Sequence, residues 1–191
     1  MRRLIVAVSN IVFACSLIAA TAACASDDMW KRIEAGGRVV LMRHALTTPG
    51  VGDPAGMRLD DCTTQRNLSE QGRAHARAIG AAFRTRGIKP ERVLASPWCR
   101  CIETAQLAFG GSMPEPSLSN LFGRPENRER QVKALRTLVA AHKGPGTLVL
   151  VTHGSTIVAL TGVSPDTGEM VVVAPNSGKL VVEGRLAVPE R

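Results

Sequence analysis

The sequence predicts one α/β domain, a three-layer α/β/α sandwich around a mainly parallel central sheet. Short apolar runs alternate with segments of helical periodicity along residues 26–191, an alternation typical of β-α-β units. In two stretches, 41–45 and 150–154, an apolar run leads into a histidine. The chain contains no internal repeat or low-complexity linker. Its length suits one hydrophobic core, so we expect a single domain over residues 26–191.

The elements follow in order from the first apolar run. Ser69 is the predicted N-cap of the first large helix, in which apolar positions recur at helical spacing from Gly72 to Phe83 before Gly87 ends it. A stripe from Val132 to Val139 predicts the third helix. The other predicted elements are strands at 39–42, 91–95 and 147–152, a helix at 98–109, and a terminal hairpin of 170–173 and 180–183 around residues 176–178.

The first 25 residues predict a secretory signal peptide. Arg2 and Arg3 precede an apolar run over 4–23, and Ala23-Cys24-Ala25 supplies the small residues of a cleavage site. A membrane anchor is one alternative, because the run approaches the ~20 residues that span a bilayer. A lipoprotein acylated at Cys24 is another, although Thr21 stands where such sites carry an aliphatic residue. We expect an exported, periplasmic protein without stable membrane insertion after cleavage.

The charge balance is basic but does not indicate nucleic-acid binding. Loss of residues 1–25 removes two arginines and no acids, which lowers the net charge from +8 to +6. The arginines are scattered along helices, aromatic residues form no stripe, and tyrosine is absent. A basic surface of this kind favours an anionic small molecule or an anionic envelope surface as the partner. The oligomeric state is not predicted.

Residues suited to phosphate chemistry follow three of the apolar runs. Arg43 and His44 follow the first strand, Arg100 follows the second, and His153 follows the third. Ligands of open α/β sheets bind outside the carboxyl ends of the strands, so these side chains are expected to meet. Guanidinium groups stay charged and match phosphoryl oxygens, and a neutral imidazole is a competent nucleophile. The four residues therefore predict a phosphoryl pocket.

Structural roles are the alternative for the histidines. His44 and His153 could be hydrogen-bonded histidines at strand ends, whereas His75 and His142 lie in predicted helices without arginine partners and are expected at the surface. The sequence contains no clustered carboxylates for a metal ion. We therefore expect neither a metal nor a cofactor.

The order of three motifs carries a family resemblance. An Arg-His pair at a strand end (43–44), Ser-Pro-x-x-Arg-x-x-Glu-Thr-Ala (96–105) and Thr-His-Gly (152–154) occur in the order found in histidine phosphatases. The segment over 65–72 is similar to the one that leads into that family's first large helix. The chain resembles the histidine phosphatase, or phosphoglycerate-mutase-like, superfamily over nearly all of residues 26–191.

This resemblance implies roles for the four residues. His44 would be the nucleophile that becomes phosphohistidine, and Arg43 and Arg100 would bind the equatorial phosphoryl oxygens. His153 would donate a hydrogen bond as charge develops in the transition state. The substrate would be a small phosphorylated molecule, and the chemistry would be metal-independent.

The chain departs from the family pattern in two places. Ala45 stands where glycine is usual after the first histidine, and Gly154 stands where one branch has an aspartate. Many members place a glutamate after the second helix, where Glu126 is the candidate general acid, with Glu115 and Glu129 nearby. Glu129 or Asp53 is the alternative proton donor. Near a helix start, Glu126 is equally consistent with a surface residue favoured by the helix dipole.

The long polar segment over 46–67 is expected near the substrate, because a loop of this length in a compact domain is usually functional or disordered. Thr47, Arg58 and Gln65 are its candidate binding residues. The alternative for Arg58 is an ion pair with Asp60 or Asp61.

Three cysteines remain after the export segment. A disulfide is compatible with an oxidising compartment, and pairing Cys62 with Cys99 would tie the long loop to the arginine-bearing segment. Cys101 would then be free. A zinc site is a weak alternative, because no histidine stands at matching spacing.

We expect a phosphoric monoester hydrolase that acts through phosphohistidine at His44. Two alternatives remain open at this point. One is a phosphoamidase acting on nitrogen-linked phosphate. The other is a non-catalytic envelope protein that binds anions in the same pocket.

Overall fold

The fold is seen in a computed structural model that describes residues 26–176 and 179–189. The predicted signal peptide and the centre of the predicted hairpin turn lie outside the described residues. Within the described part of the chain, no helix has the length and apolarity needed to cross a bilayer.

A six-stranded sheet forms the centre of the domain, in the order β3-β2-β4-β1-β5-β6. The first four of these strands run parallel, and β5 and β6 are antiparallel additions at one side. The sheet is therefore mainly parallel, as predicted. Its strands are β1 (Val39–Arg43), β2 (Arg92–Ala95), β3 (Met113–Pro114), β4 (Leu148–Thr152), β5 (Met170–Asn176) and β6 (Lys179–Leu186).

Five α-helices cover the two faces of the sheet within the described residues. They are α1 (26–34), α2 (Glu70–Thr85), α3 (Cys99–Phe109), α4 (Arg128–Ala141) and α5 (Gly154–Thr161). One core joins α1, α2 and α3 to side chains such as Val40 and Met42 of β1. A second core joins α4 and α5 to Val39 and Leu41 on the opposite face. The predicted three-layer sandwich is confirmed.

The central strands are apolar along their whole length because both of their faces are covered. Val39–Met42 and Leu148–Val151 are at most 1% exposed. Such continuous apolar runs are typical of parallel strands buried on both sides. The alternating pleat divides each run between the two cores, which explains why these strands show no polar alternation.

The first large helix begins and packs as its sequence predicts. The Ser69 side chain caps α2 by accepting a 3.0 Å hydrogen bond from the Gly72 amide. A Cβ atom at Gly72 would lie 1.9 Å from the Leu46 carbonyl oxygen, and one at Gly80 would lie 2.1 Å from that of Ala108. Both glycines are therefore required by close backbone approach, and Gly80 lets α2 lie directly against α3.

Some elements differ from prediction. Helices α1 and α5 and the short β3 lie in segments for which no element was predicted. Helix α5 has only eight residues, and its apolar residues form one continuous run at 157–160, so it shows no helical periodicity. The expectation that His75 and His142 lie at the surface is wrong, since they are only 6% and 8% exposed. Their Nε2 atoms bond the carbonyl oxygens of Val188 and Gly146.

Candidate active site

Two parallel strands bring the strand-end histidines together. β1 pairs with β4 in a register that places Arg43 opposite Thr152, so the next residue of each chain segment leaves the sheet at the same edge. The imidazole rings of His44 and His153 lie edge to face, with centroids 5.4 Å apart. The two rings therefore share one pocket at the carboxyl ends of the strands.

The backbone orients the His44 ring. Its Nδ1 atom lies 2.9 Å from the Ala45 carbonyl oxygen, which can only accept, so Nδ1 carries the proton and Nε2 keeps its lone pair. Burial lowers the pKa of His44 to about 3, with help from the nearby charges of Arg100 and Arg43. Near neutral pH this imidazole is uncharged and available for nucleophilic attack.

The buried side chains of Ser96 and Trp98 hold the His153 ring in place. Its Nε2 atom lies 2.8 Å from the Ser96 hydroxyl, and its ring packs edge to face on Trp98 with centroids 5.3 Å apart. Burial, followed by the neighbouring His44, places the pKa of His153 well below the ordinary histidine value. Both histidines of the pocket are therefore neutral.

Three arginines surround the histidines. Arg43, Arg66 and Arg100 line a cavity of about 420 Å³ together with His44 and His153. The Nε atom of each guanidinium is buried and has no hydrogen-bond partner among the described residues. Buried polar groups are normally satisfied, and three close cations repel one another. This arrangement is suited to binding an anion.

Asp53 supplies a counter-charge from the long loop. Its carboxylate accepts hydrogen bonds of 2.6 and 3.1 Å from the two terminal nitrogens of Arg100. It also accepts from the Trp98 indole at 3.1 Å and from the Arg66 amide at 3.3 Å. Burial alone raises the pKa of Asp53, but the hydrogen bonds and charge of Arg100 outweigh it and lower that pKa. Asp53 is therefore an ionised anchor that fixes the Arg100 fork.

The loop residues predicted to bind substrate lie elsewhere. Thr47 pairs with Leu68 in an isolated β-bridge. The exposed side chain of Arg58 bonds Asp61 at 2.6 Å, and Gln65 bonds the Arg58 carbonyl and the Cys99 amide at 2.9 and 3.0 Å. None of the three lines the cavity around His44. Each instead holds the path of the loop.

The candidate general acid also lies away from the cavity. Glu126 is exposed in a 3₁₀ turn, where its carboxylate accepts a 2.9 Å hydrogen bond from Asn127. Among the described residues, no carboxylate lines the cavity around His44. The Asp53 carboxylate is linked to that cavity through the hydrogen bonds that it accepts from Arg100.

A disulfide joins Cys62 to Cys99, as predicted, and Cys101 is free and buried. Cys99 is the first residue of α3 and is followed directly by Arg100. The disulfide therefore attaches the long loop beside an arginine of the cavity. No cluster of metal-ligating side chains occurs in the described ranges.

Sequence reasoning did not predict the contacts of three residues in this site. Arg66 stands in the segment quoted for the family resemblance, where the neighbouring Gln65 was chosen instead. Asp53 sits in a Gly-Asp-Pro segment, and Ser96 precedes a proline. A buried carboxylate or hydroxyl gives no local signal, because its partners come from distant segments.

The fold and cavity define an α/β protein with a pocket of histidines and arginines at its sheet edge. A family model described as the histidine phosphatase superfamily (branch 1) matches residues 39–119. This match confirms the family resemblance that the order of the motifs predicts. Among curated proteins, none matches the sequence.

Solved structures share the fold. The SixA protein of Agrobacterium tumefaciens, named as a phosphohistidine phosphatase, is 24% identical, with 81% of this chain and 99% of that one covered at a TM-score of 0.55. A phosphoserine phosphatase of Entamoeba histolytica in complex with 3-phosphoglyceric acid is 14% identical, with coverages of 80% and 98% and a TM-score of 0.59. A mycobacterial glucosyl-3-phosphoglycerate phosphatase in complex with VO3 is 18% identical, with coverages of 76% and 96% and a TM-score of 0.57.

Proposed function

We propose that the protein is a phosphatase that hydrolyses phosphomonoesters through a phosphohistidine at His44. The observation that carries this proposal is a neutral His44, oriented by the Ala45 carbonyl, beside three guanidinium groups whose Nε atoms are buried and unpartnered among the described residues. The match to the histidine phosphatase family model and the phosphatases among the structures with the same fold support it.

The pocket charge agrees with such a substrate. The positive charges of Arg43, Arg66 and Arg100, reduced by the negative charge of Asp53, leave a net +2 around the neutral histidines. A phosphomonoester carries a charge of about −2 near neutral pH. The bound phosphoryl group would therefore neutralise the pocket and provide acceptors for the three Nε atoms.

The reaction would proceed by two displacements at phosphorus. In the first, the His44 Nε2 lone pair forms a bond to phosphorus while the phosphorus–oxygen bond to the leaving group breaks. The released oxygen takes a proton from solvent water, and the guanidinium groups stabilise the equatorial oxygens. In the second, water attacks phosphorus and gives up one proton to the solvent, and the nitrogen–phosphorus bond breaks. Inorganic phosphate leaves, and Nε2 regains its lone pair.

Hydrolysis of phosphoamidates is the second candidate function. The observation that favours it is the position of Glu126, outside the cavity, together with the lack of a cavity-lining carboxylate among the described residues. A leaving nitrogen is basic enough to take its proton from solvent, so a phosphoamidate depends less on a general acid than an alkyl phosphate does.

Trapping of the intermediate tests the proposal. Wild-type protein mixed with 4-nitrophenyl phosphate and denatured in alkali should carry one added phosphoryl group on the peptide that contains His44, as measured by mass spectrometry. His44→Ala should abolish both the adduct and turnover, and a chelator should leave both unchanged. His142→Gln, which replaces a buried histidine outside the cavity, is the matched control.

Three results would contradict the mechanism. They are retained turnover in His44→Ala, loss of turnover with the chelator, and a phosphoryl group on another residue. Binding of phosphate without turnover of any phosphoester or phosphoamidate would favour the non-catalytic alternative.

A further inference from the structure

A second cavity adjoins the one around His44. Its volume is about 490 Å³, and Asp53 and Arg124 are among the residues that line it. The two cavities share four lining residues, namely Val51, Gly52, Asn120 and Phe122. A molecule whose phosphoryl group lies at His44 can therefore extend past this shared wall into the second cavity.

The shared wall offers apolar contact. Val51 is 89% exposed and Phe122 is 58% exposed, so both side chains keep apolar surface open to a ligand. They belong to different segments, the long loop and the turn before α4. A ring or carbon skeleton packed between them would bury apolar surface of both side chains and of the ligand away from water.

The second cavity also holds a positive charge that a phosphoryl group does not neutralise. The Arg124 guanidinium lies over the Trp98 ring, 5.3 Å from its centroid, and it forms no ion pair within the described ranges. Asp53 is the one carboxylate among the described residues that line either cavity, and Arg100 already binds it. With a phosphomonoester bound at His44, Arg124 is therefore left with an unmatched charge.

We infer that the second cavity is a leaving-group subsite in which Arg124 binds a second anionic group of the substrate. This inference rests on the proposed phosphatase function and narrows its substrate class. The substrate would be a phosphomonoester whose leaving group carries a carboxylate or another anion beyond a ring or carbon skeleton. Val51 and Phe122 contact that skeleton.

A matched pair of substrates tests the subsite. 4-Carboxyphenyl phosphate and 4-carbamoylphenyl phosphate have nearly the same shape and differ in one negative charge. The hydrogen bond between Arg124 and the carboxylate should raise kcat/KM for the carboxylate substrate about tenfold above that for the carbamoyl substrate. In Arg124→Gln this ratio should fall to about one. Arg128→Gln removes an exposed arginine outside both cavities and should keep the wild-type ratio.

Binding measurements keep the subsite testable without turnover. Calorimetric titration with 4-carboxybenzyl phosphonate and 4-carbamoylbenzyl phosphonate should show the same preference of about tenfold in Kd, again lost in Arg124→Gln. A phosphonate preference without hydrolysis or a trapped adduct would overturn the phosphatase function and retain the subsite. Equal affinities in the wild type, or a ratio that survives Arg124→Gln, would overturn the subsite.

Discussion

Replacement of Asp53 tests whether one buried ion pair holds both the loop and the cavity. The side chains of Arg100 and Asp53 are 1% and 11% exposed, so the pair belongs with buried rather than surface ion pairs. Asp53→Ala removes the carboxylate from four donors and leaves the Arg100 charge uncompensated. Breaking a buried pair in this way costs about 3 to 5 kcal/mol of unfolding free energy.

Urea denaturation of the oxidised protein measures this cost as a lower midpoint at an unchanged m-value. Asp60→Ala is the matched control, because Asp60 is an exposed residue of the same loop, 3.7 Å from the exposed Arg58. Its removal should cost less than about 1 kcal/mol. A cost below about 1 kcal/mol for Asp53→Ala would refute the reasoning.

The contribution of Asp53 to the unfolding free energy should depend on pH in a predictable direction. Because the folded-state pKa of Asp53 is lowered, its contribution is fully present above the ordinary aspartate pKa and is lost as the pH falls through the folded value. The stability difference between wild type and Asp53→Asn should therefore be constant near neutral pH and should narrow below about pH 4. A difference that does not change with pH would contradict an ionised Asp53.

The remaining predictions concern other parts of the molecule. The pKa of about 3 for His44 keeps its imidazole neutral in mild acid, so kcat/KM for an aryl phosphate should fall between pH 7 and 5 only as the substrate itself gains a proton; a further loss with a midpoint near 6.5 would contradict a neutral buried nucleophile. Reduction of the Cys62–Cys99 disulfide, which spans 37 residues, should lower the unfolding free energy by about 4 kcal/mol in denaturation with and without reductant; equal midpoints would show that the loop is held by other contacts. Gly80→Ala should lower the thermal midpoint by several degrees, because its Cβ would meet a backbone oxygen at 2.1 Å, and wild-type stability would mean that α2 can move from α3. Glu126→Gln should leave turnover of alkyl and aryl phosphates within about twofold of the wild-type rate, because the exposed Glu126 side chain does not line the cavity in which the proton is transferred. Selective loss of alkyl phosphate turnover would identify Glu126 as the general acid.

The order of elements and the meeting of the histidines could be predicted from sequence because the signals are local. Apolar runs mark the buried strands, helical spacing marks α2 and α4, and Ser69 marks a helix start. Parallel strands end at a common edge, so His44 and His153 were expected to converge, and their rings do lie together. The Cys62–Cys99 disulfide was likewise predicted and is present.

Tertiary structure alone decided which loop residues face the cavity. The segment over 46–67 is rich in glycine, proline and polar residues, and such a composition does not constrain its path. Residue type predicts Thr47, Arg58 and Gln65 as binding residues, but Thr47 pairs with Leu68, Arg58 bonds Asp61, and Gln65 bonds backbone groups. Arg66 lines the cavity around His44, and Asp53 binds Arg100 of that cavity, because the disulfide and the ion pair with Arg100 set the course of the loop. Those partners are 37 and 47 residues distant along the chain, so local periodicity carries no information about them.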